Sequence, residues 1–156
     1  MTEKPYRKNV AAILLNAQGR VLVGWKHNAW QLPQGGVEEG ETPAQALLRE
    51  LAEEIGTTKF HILRESTQWY CYEWPAPPPP KRQQYRGQCQ RYFLVQFDGT
   101  DDDIDLAKHR EFARITWLTP AEVLTHAWDV KRPIYRKAFE EFGLLSAAPT
   151  QPEDPL

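Results

Sequence analysis

A chain of 156 residues with 41% hydrophobic and 26% charged residues has apolar material for one compact core and too little length for a second. Its formal charge of -2 excludes a protein that coats nucleic acid through net charge, leaving local basic clusters to grip phosphates. No apolar run approaches the roughly 20 residues that span a bilayer, and Met1 to Asn9 lacks the apolar centre of a signal peptide, so the expected location is the cytoplasm.

Val10 to Leu15 and Val21 to Trp25 are β-rich runs on either side of Asn16-Ala-Gln-Gly19, whose Asn and Gly supply turn geometry, so a hairpin is expected. Thr42-Pro-Ala-Gln45 opens a helix: Thr caps, Pro occupies the first turn, Gln closes a capping box, and Gly56 ends it. Phe60 to Tyr72, Arg91 to Phe97 and Phe112 to Leu118 read as further strands of a mixed sheet. Between the first two, Trp74 to Pro80 followed by Lys81-Arg82 must be a stiff, exposed loop, because proline cannot donate to a strand ladder. Thr119-Pro-Ala-Glu122 starts a short helix, and Pro133 to Phe142 forms a third, stopped by Gly143. One domain over residues 1–146 and a disordered Pro-rich tail over 147–156 complete the expectation. The two cysteines, Cys71 and Cys89, are too few for a disulfide scaffold and not spaced for zinc, so free buried thiols are expected.

The chemistry concentrates in the first helix. At about 100° per residue, Glu50, Glu53 and Glu54 share a sector roughly 100° wide, while Leu47, Leu48, Leu51 and Ile55 form an apolar stripe on another. Clustered carboxylates repel one another by a few tenths of a kcal/mol per pair, and a hard divalent cation relieves that repulsion. Taken alone, such a run reads as a solvated face. The surrounding spacing says more: Gly35, five residues, Glu41, seven residues, Arg49-Glu50-Leu51, one residue, Glu53-Glu54, one residue, Gly56.

This arrangement resembles the Nudix box, with Thr57 the one departure, since an aliphatic residue is usual there. The resemblance implies an α/β fold, the Nudix α/β/α sandwich with a mixed β-sheet, and a pyrophosphohydrolase acting on phosphoanhydride bonds. It implies Gly35, through its carbonyl, with Glu50, Glu53 and Glu54 as ligands for Mg2+, or Mn2+ in its place. Glu41 and Arg49 would pair to brace loop and helix, and either Glu54 or Glu50 would be the catalytic base.

Outside the box, Tyr6 to Val10, Trp30 to Gly36, Trp69 with Tyr72, Gly87 to Phe93 and Lys131 to Tyr135 resemble, in order, one branch of the family. That branch contains bacterial RNA pyrophosphohydrolases and diadenosine tetraphosphate hydrolases. By this resemblance Glu111 joins the metal ligands, and Arg7, Lys26, Tyr72, Gln88, Arg91 and Lys131 hold the polyphosphate or its nucleotides. Trp128 and Val130 sit where the branch contacts a base, although relatives often carry the larger aromatic at the second position. Lys8 stands where the branch usually has proline, at the pocket entrance. The implied substrate is 5'-triphosphorylated RNA, cut to a 5'-monophosphate to initiate decay, or a dinucleoside polyphosphate such as diadenosine tetraphosphate. A catalytically silent nucleotide- or RNA-binding module is the rival from another class. The sequence implies no membrane and names no protein partner.

Overall fold

The computed structural model describes residues 4–77 and 79–145, so the expected tail at 147–156 lies outside the described residues. The first strand, β1 (Tyr6–Leu15), turns back into β2 (Val21–Lys26) through the expected hairpin. The Asn16 side chain accepts from the backbone N–H groups of Gln18 and Arg20 at 3.0 and 2.9 Å, and Gly19 takes a positive φ of 77°. Two three-residue strands, β3 (Ala29–Gln31) and β4 (Gln34–Gly36), follow. His27 and Asn28 make the two-residue turn between β2 and β3 with φ of 54° and 61°, the twist a tight hairpin demands.

After α1 (Pro43–Ile55) come β5 (Phe60–Glu73), β6 (Gly87–Phe97), β7 (Ile115–Leu118), α2 (Pro120–His126) and α3 (Arg132–Glu141). β1 is central: it runs parallel to β6 from Tyr6↔Gly87 to Leu15↔Gln96 and antiparallel to β2 and β4. Buried on both faces, it reads Val10-Ala-Ala-Ile-Leu14 with no polar break. The period-2 alternation sorts its side chains between two cores. Val10, Ala12 and Leu14 meet Leu47, Leu51 and Ile55 of α1, whereas Ala11 and Ile13 meet the core of α2 and α3. The sheet is therefore mixed and covered on both faces, the α/β/α sandwich expected from the sequence. No helix among the described residues is long and apolar enough to cross a membrane.

Four details differ from expectation. The cysteines are not free thiols: the β5–β6 register sets Cys71 directly opposite Cys89, and the two form a disulfide with Cα atoms 4.0 Å apart. Leu48 lies off the buried stripe and is 43% exposed. β7 begins only at Ile115, because Phe112 leaves the ladder to pack where a Cβ on Gly24 would stand. β6 begins at Gly87 rather than Arg91, its early polar residues being satisfied inside the protein: Gln90 donates to Asn9 Oδ1 at 2.7 Å and accepts from the Tyr92 hydroxyl at 2.7 Å.

Candidate active site

The sequence builds α1 as a platform. Thr42 accepts from the Gln45 backbone N–H at 3.1 Å, Gln45 returns the bond to the Thr42 N–H at 2.9 Å, and Gly56 closes the other end in the left-handed conformation. With Leu47, Leu51 and Ile55 locked onto the sheet, Glu50 and Glu54 are turned toward β4, while Glu53 stands further out, its side chain 42% exposed. Arg49 ties this face to the preceding loop. Its Nε and Nη2 grip the two Glu41 oxygens at 2.7 and 2.9 Å, Nη2 also donates to the Gly36 carbonyl at 3.0 Å, and Nη1 reaches Glu50 at 2.8 Å. The guanidinium pulls the Glu41 carboxyl down to about 2. Glu41 and Arg49 therefore meet as the sequence implied.

The acids behind this brace are held in surroundings that disfavour their charge. Burial pushes the Glu54 carboxyl well above its ordinary value against the pull of Lys26, and Glu50 and Glu111 add repulsion. Burial also raises Glu50, opposed by Arg49 and reinforced by Glu53 and Glu111. Glu54 is only 2% exposed, and its Oε1 has no hydrogen-bond partner. Glu111 approaches from the loop before β7 and is held by Lys26 Nζ at 2.9 Å. The backbone of β4 completes the arrangement: a Cβ on Gly35 would lie 2.0 Å from Glu50 Cδ, and one on Gly36 would lie 2.3 Å from Arg7 Nη2. Only glycine lets both side chains lie flush against this strand.

Among the described residues, no three His, Cys, Asp or Glu side chains converge into a ready-made cage, since Arg49 holds one oxygen of Glu50 and Lys26 holds Glu111. The donors nevertheless suit a hard divalent cation. They are all carboxylate or carbonyl oxygens, one is a buried oxygen with no partner, and mutual repulsion rewards added positive charge.

Beside the acids opens a cleft of about 700 Å³. Arg7, Lys26, Tyr72, Gln88, Trp128 and Lys131, six of the eight side chains singled out for substrate contact, line it. Arg7 donates to Gln88 Oε1 at 2.5 Å, and Gln88 donates onward to the Tyr72 hydroxyl at 2.7 Å, which fixes the guanidinium. Lys131 is 4% exposed, its Nζ 5.8 Å from the centre of the Tyr72 ring. Burial lowers its ammonium to about 8, with Glu54 opposing the shift and Lys26 and Arg7 adding to it. Trp128 lines the cleft while staying 41% exposed, which leaves indole surface open to a ligand.

The structure does not bring Arg91 or Val130 into this lining. Arg91 is an odd number of residues from Gln88 on β6 and so points to the opposite face, where its Nε lies 3.1 Å from Glu65 and its guanidinium stacks 5.6 Å from the centre of Trp69. Lys8 meets the same indole from 5.7 Å. Sequence reasoning missed Gln34, Trp74, Pro79, Pro80 and Arg82, which also line the cleft. The one signal for the last three was the basic pair closing the proline run.

The NUDIX domain family model matches residues 5–147. The chain is 42% identical over 148 residues to an RNA pyrophosphohydrolase of Dinoroseobacter shibae, covering 89% of this chain and 92% of that one. The chain belongs to the Nudix family. A second RNA pyrophosphohydrolase, from Rickettsia bellii, is 41% identical over 148 residues, with 90% and 92% covered. In fold, this Nudix chain is similar to an E. coli dihydroneopterin triphosphate pyrophosphohydrolase, with a TM-score of 0.69, 21% identity, and 89% and 97% of the two chains covered. A C. elegans Ap4A hydrolase gives 0.64 at 21% identity, with 88% and 98% covered. Nudix hydrolases generally need divalent metal ions.

Proposed function

We propose that this Nudix protein is an RNA pyrophosphohydrolase that removes pyrophosphate from 5'-triphosphorylated RNA, leaving a 5'-monophosphate and initiating decay. The observation that carries this reading is the meeting of a cationic cleft with buried carboxylates: Lys26 lines the cleft and also holds Glu111, while Arg7 lies against the strand that cradles Glu50. The relatives named RNA pyrophosphohydrolase, at 41–42% identity over most of both chains, support the substrate class.

In this reading Glu50, Glu53, Glu54, Glu111 and the Gly35 carbonyl would hold magnesium, with manganese as a substitute. A cation bound there would neutralise charge on phosphate oxygens and make a water more acidic. Glu54 accepts the proton of the attacking water; a new P–O bond forms, the phosphoanhydride P–O bond breaks, and the electron pair leaves with pyrophosphate. Burial suits Glu54 to this role by raising its proton affinity above that of an ordinary carboxylate. Arg7 and Lys131 neutralise the remaining phosphates, Tyr72 and Gln88 hold Arg7 in place, and Trp128 stacks on the first base.

Trp128 and the same cationic wall would also seat one end of diadenosine tetraphosphate, the second reading. A catalytically silent module is disfavoured because Glu50, Glu53, Glu54 and their Arg49–Glu41 brace are all present. Turnover of a triphosphorylated oligoribonucleotide and of diadenosine tetraphosphate, under matched conditions with end-group analysis, separates the two readings. Faster release of pyrophosphate and a 5'-monophosphate end supports the first; preferential cleavage of the dinucleotide supports the second. The RNA reading puts the protein in the cytoplasm, where a reducing thiol pool acts on Cys71–Cys89.

A further inference from the structure

The cleft contains a cation that none of the roles above uses. Arg82 lies in a short 3₁₀ turn, Pro80–Arg82, at the end of the proline run, and it lines the cleft on the same side as Pro79 and Pro80. Its loop is pinned at the base. The Trp74 N–H donates to the Arg86 carbonyl at 3.0 Å, Trp74 Nε1 donates to the Tyr85 carbonyl at 3.1 Å, and the Arg86 N–H donates to Pro5 at 2.9 Å. Each proline removes backbone freedom, so little ordering entropy remains for a ligand to overcome. Among the described residues the Arg82 guanidinium meets no carboxylate; its hydrogen bond is to the Lys81 carbonyl at 3.3 Å. Among the described residues, Arg7, Lys26, Arg82 and Lys131 are the Lys and Arg side chains lining the cleft, and no Asp or Glu lines it.

Arg82 repels the Arg7 guanidinium and so adds to the lowering that burial imposes on it. Like charges held close on a rigid wall call for an anion between or beside them.

We propose that Arg82 forms a second anion subsite, taking a phosphate that is not hydrolysed: the phosphodiester that follows the first nucleotide of a bound RNA. This rests on the RNA reading above and deepens it, because such a contact selects a polynucleotide over a free nucleoside triphosphate. The planar fork of arginine suits two oxygens of one phosphodiester.

The test measures binding with divalent cations withheld, so that nothing turns over. The probes are a 5'-triphosphorylated tetraribonucleotide and the matching nucleoside triphosphate. Wild type should bind the oligonucleotide more tightly, and Arg82→Gln should reduce that preference about tenfold, with the oligonucleotide's salt slope falling by about 0.7 to 1. Arg82→Lys should recover part of the loss. Equal weakening for both probes would make Arg82 a ligand of the triphosphate itself and overturn the proposal, as would no weakening, or a wild type without preference. Magnesium-supported turnover of the oligonucleotide by wild type is read separately. If no 5'-monophosphate end appears while the binding preference holds, the functional reading fails and the subsite stands.

Discussion

Replacing Gly35 by alanine is a sharp perturbation of the proposed centre. The added Cβ would stand 2.0 Å from Glu50 Cδ and 2.2 Å from Oε1, whereas ordinary contact begins near 3.4 Å, so the carboxylate must retreat by about 1.4 Å. Retreat also breaks the 2.8 Å bond from Arg49 Nη1 to Glu50. Gly35 does not occupy the left-handed region, so alanine there brings no backbone strain, and a side chain, rather than the core, gives way. The stability cost is then about 1 kcal/mol, a Tm shift of roughly 2–4 °C for a domain of this size. Misplacing a catalytic group by about 1 Å costs on the order of 10²-fold in rate. Steady-state hydrolysis of a triphosphorylated oligonucleotide, paired with thermal unfolding, checks both numbers. Full activity in Gly35→Ala with an intact fold would refute the placement of Glu50 in the reacting centre. A Tm loss of tens of degrees would refute the claim that the side chain absorbs the clash.

Other expectations follow from the same contacts. Lys131, lowered to about 8 by burial, should be charged below that pH and neutral above it, so substrate affinity is retained at lower pH and weakens as pH rises through about 8. A KM–pH profile checks this, and Lys131→Arg, which stays charged, should flatten it. Glu41, drawn down to about 2 by Arg49, contributes stability present above the ordinary carboxyl value of 4.5 and lost as pH falls through about 2. Denaturant unfolding between those limits should slope less steeply in Glu41→Gln. Reducing Cys71–Cys89, which closes a segment of 18 residues, should lower stability by up to about 3 kcal/mol, read by unfolding with and without reductant. Trp128→Ala should raise KM by the equivalent of about 1–3 kcal/mol, since it removes the stacking surface.

What the sequence made legible was governed by local rules. The ends of α1 follow from Thr42, Pro43, Gln45 and Gly56, and the split between its carboxylate sector and its apolar stripe follows from helical periodicity. Even so, Leu48 lay at the margin of the stripe, where periodicity cannot tell burial from exposure. What stayed hidden depended on partners distant in the chain. Cys71 and Cys89 pair because β5 and β6 share a register across a proline-rich loop, and no spacing rule reports that register. β3 and β4 are three residues each, too short for a pattern. The resemblance implies one shared role for Gln88 and Arg91, yet in a β6 that starts at Gly87 their odd separation sends them to opposite faces. Arg82 sat in view as part of a basic pair, but only the folded loop turns it into the cleft.

The central claim is tested most directly by Glu54→Gln beside wild type on a 5'-triphosphorylated oligoribonucleotide with magnesium, both 5' end and released phosphate being analysed. The account predicts a 5'-monophosphate end and pyrophosphate from wild type, and a loss of at least about 10²-fold in rate from the variant with its fold retained. Undiminished turnover by Glu54→Gln, or a wild type that leaves the triphosphate intact, would contradict it.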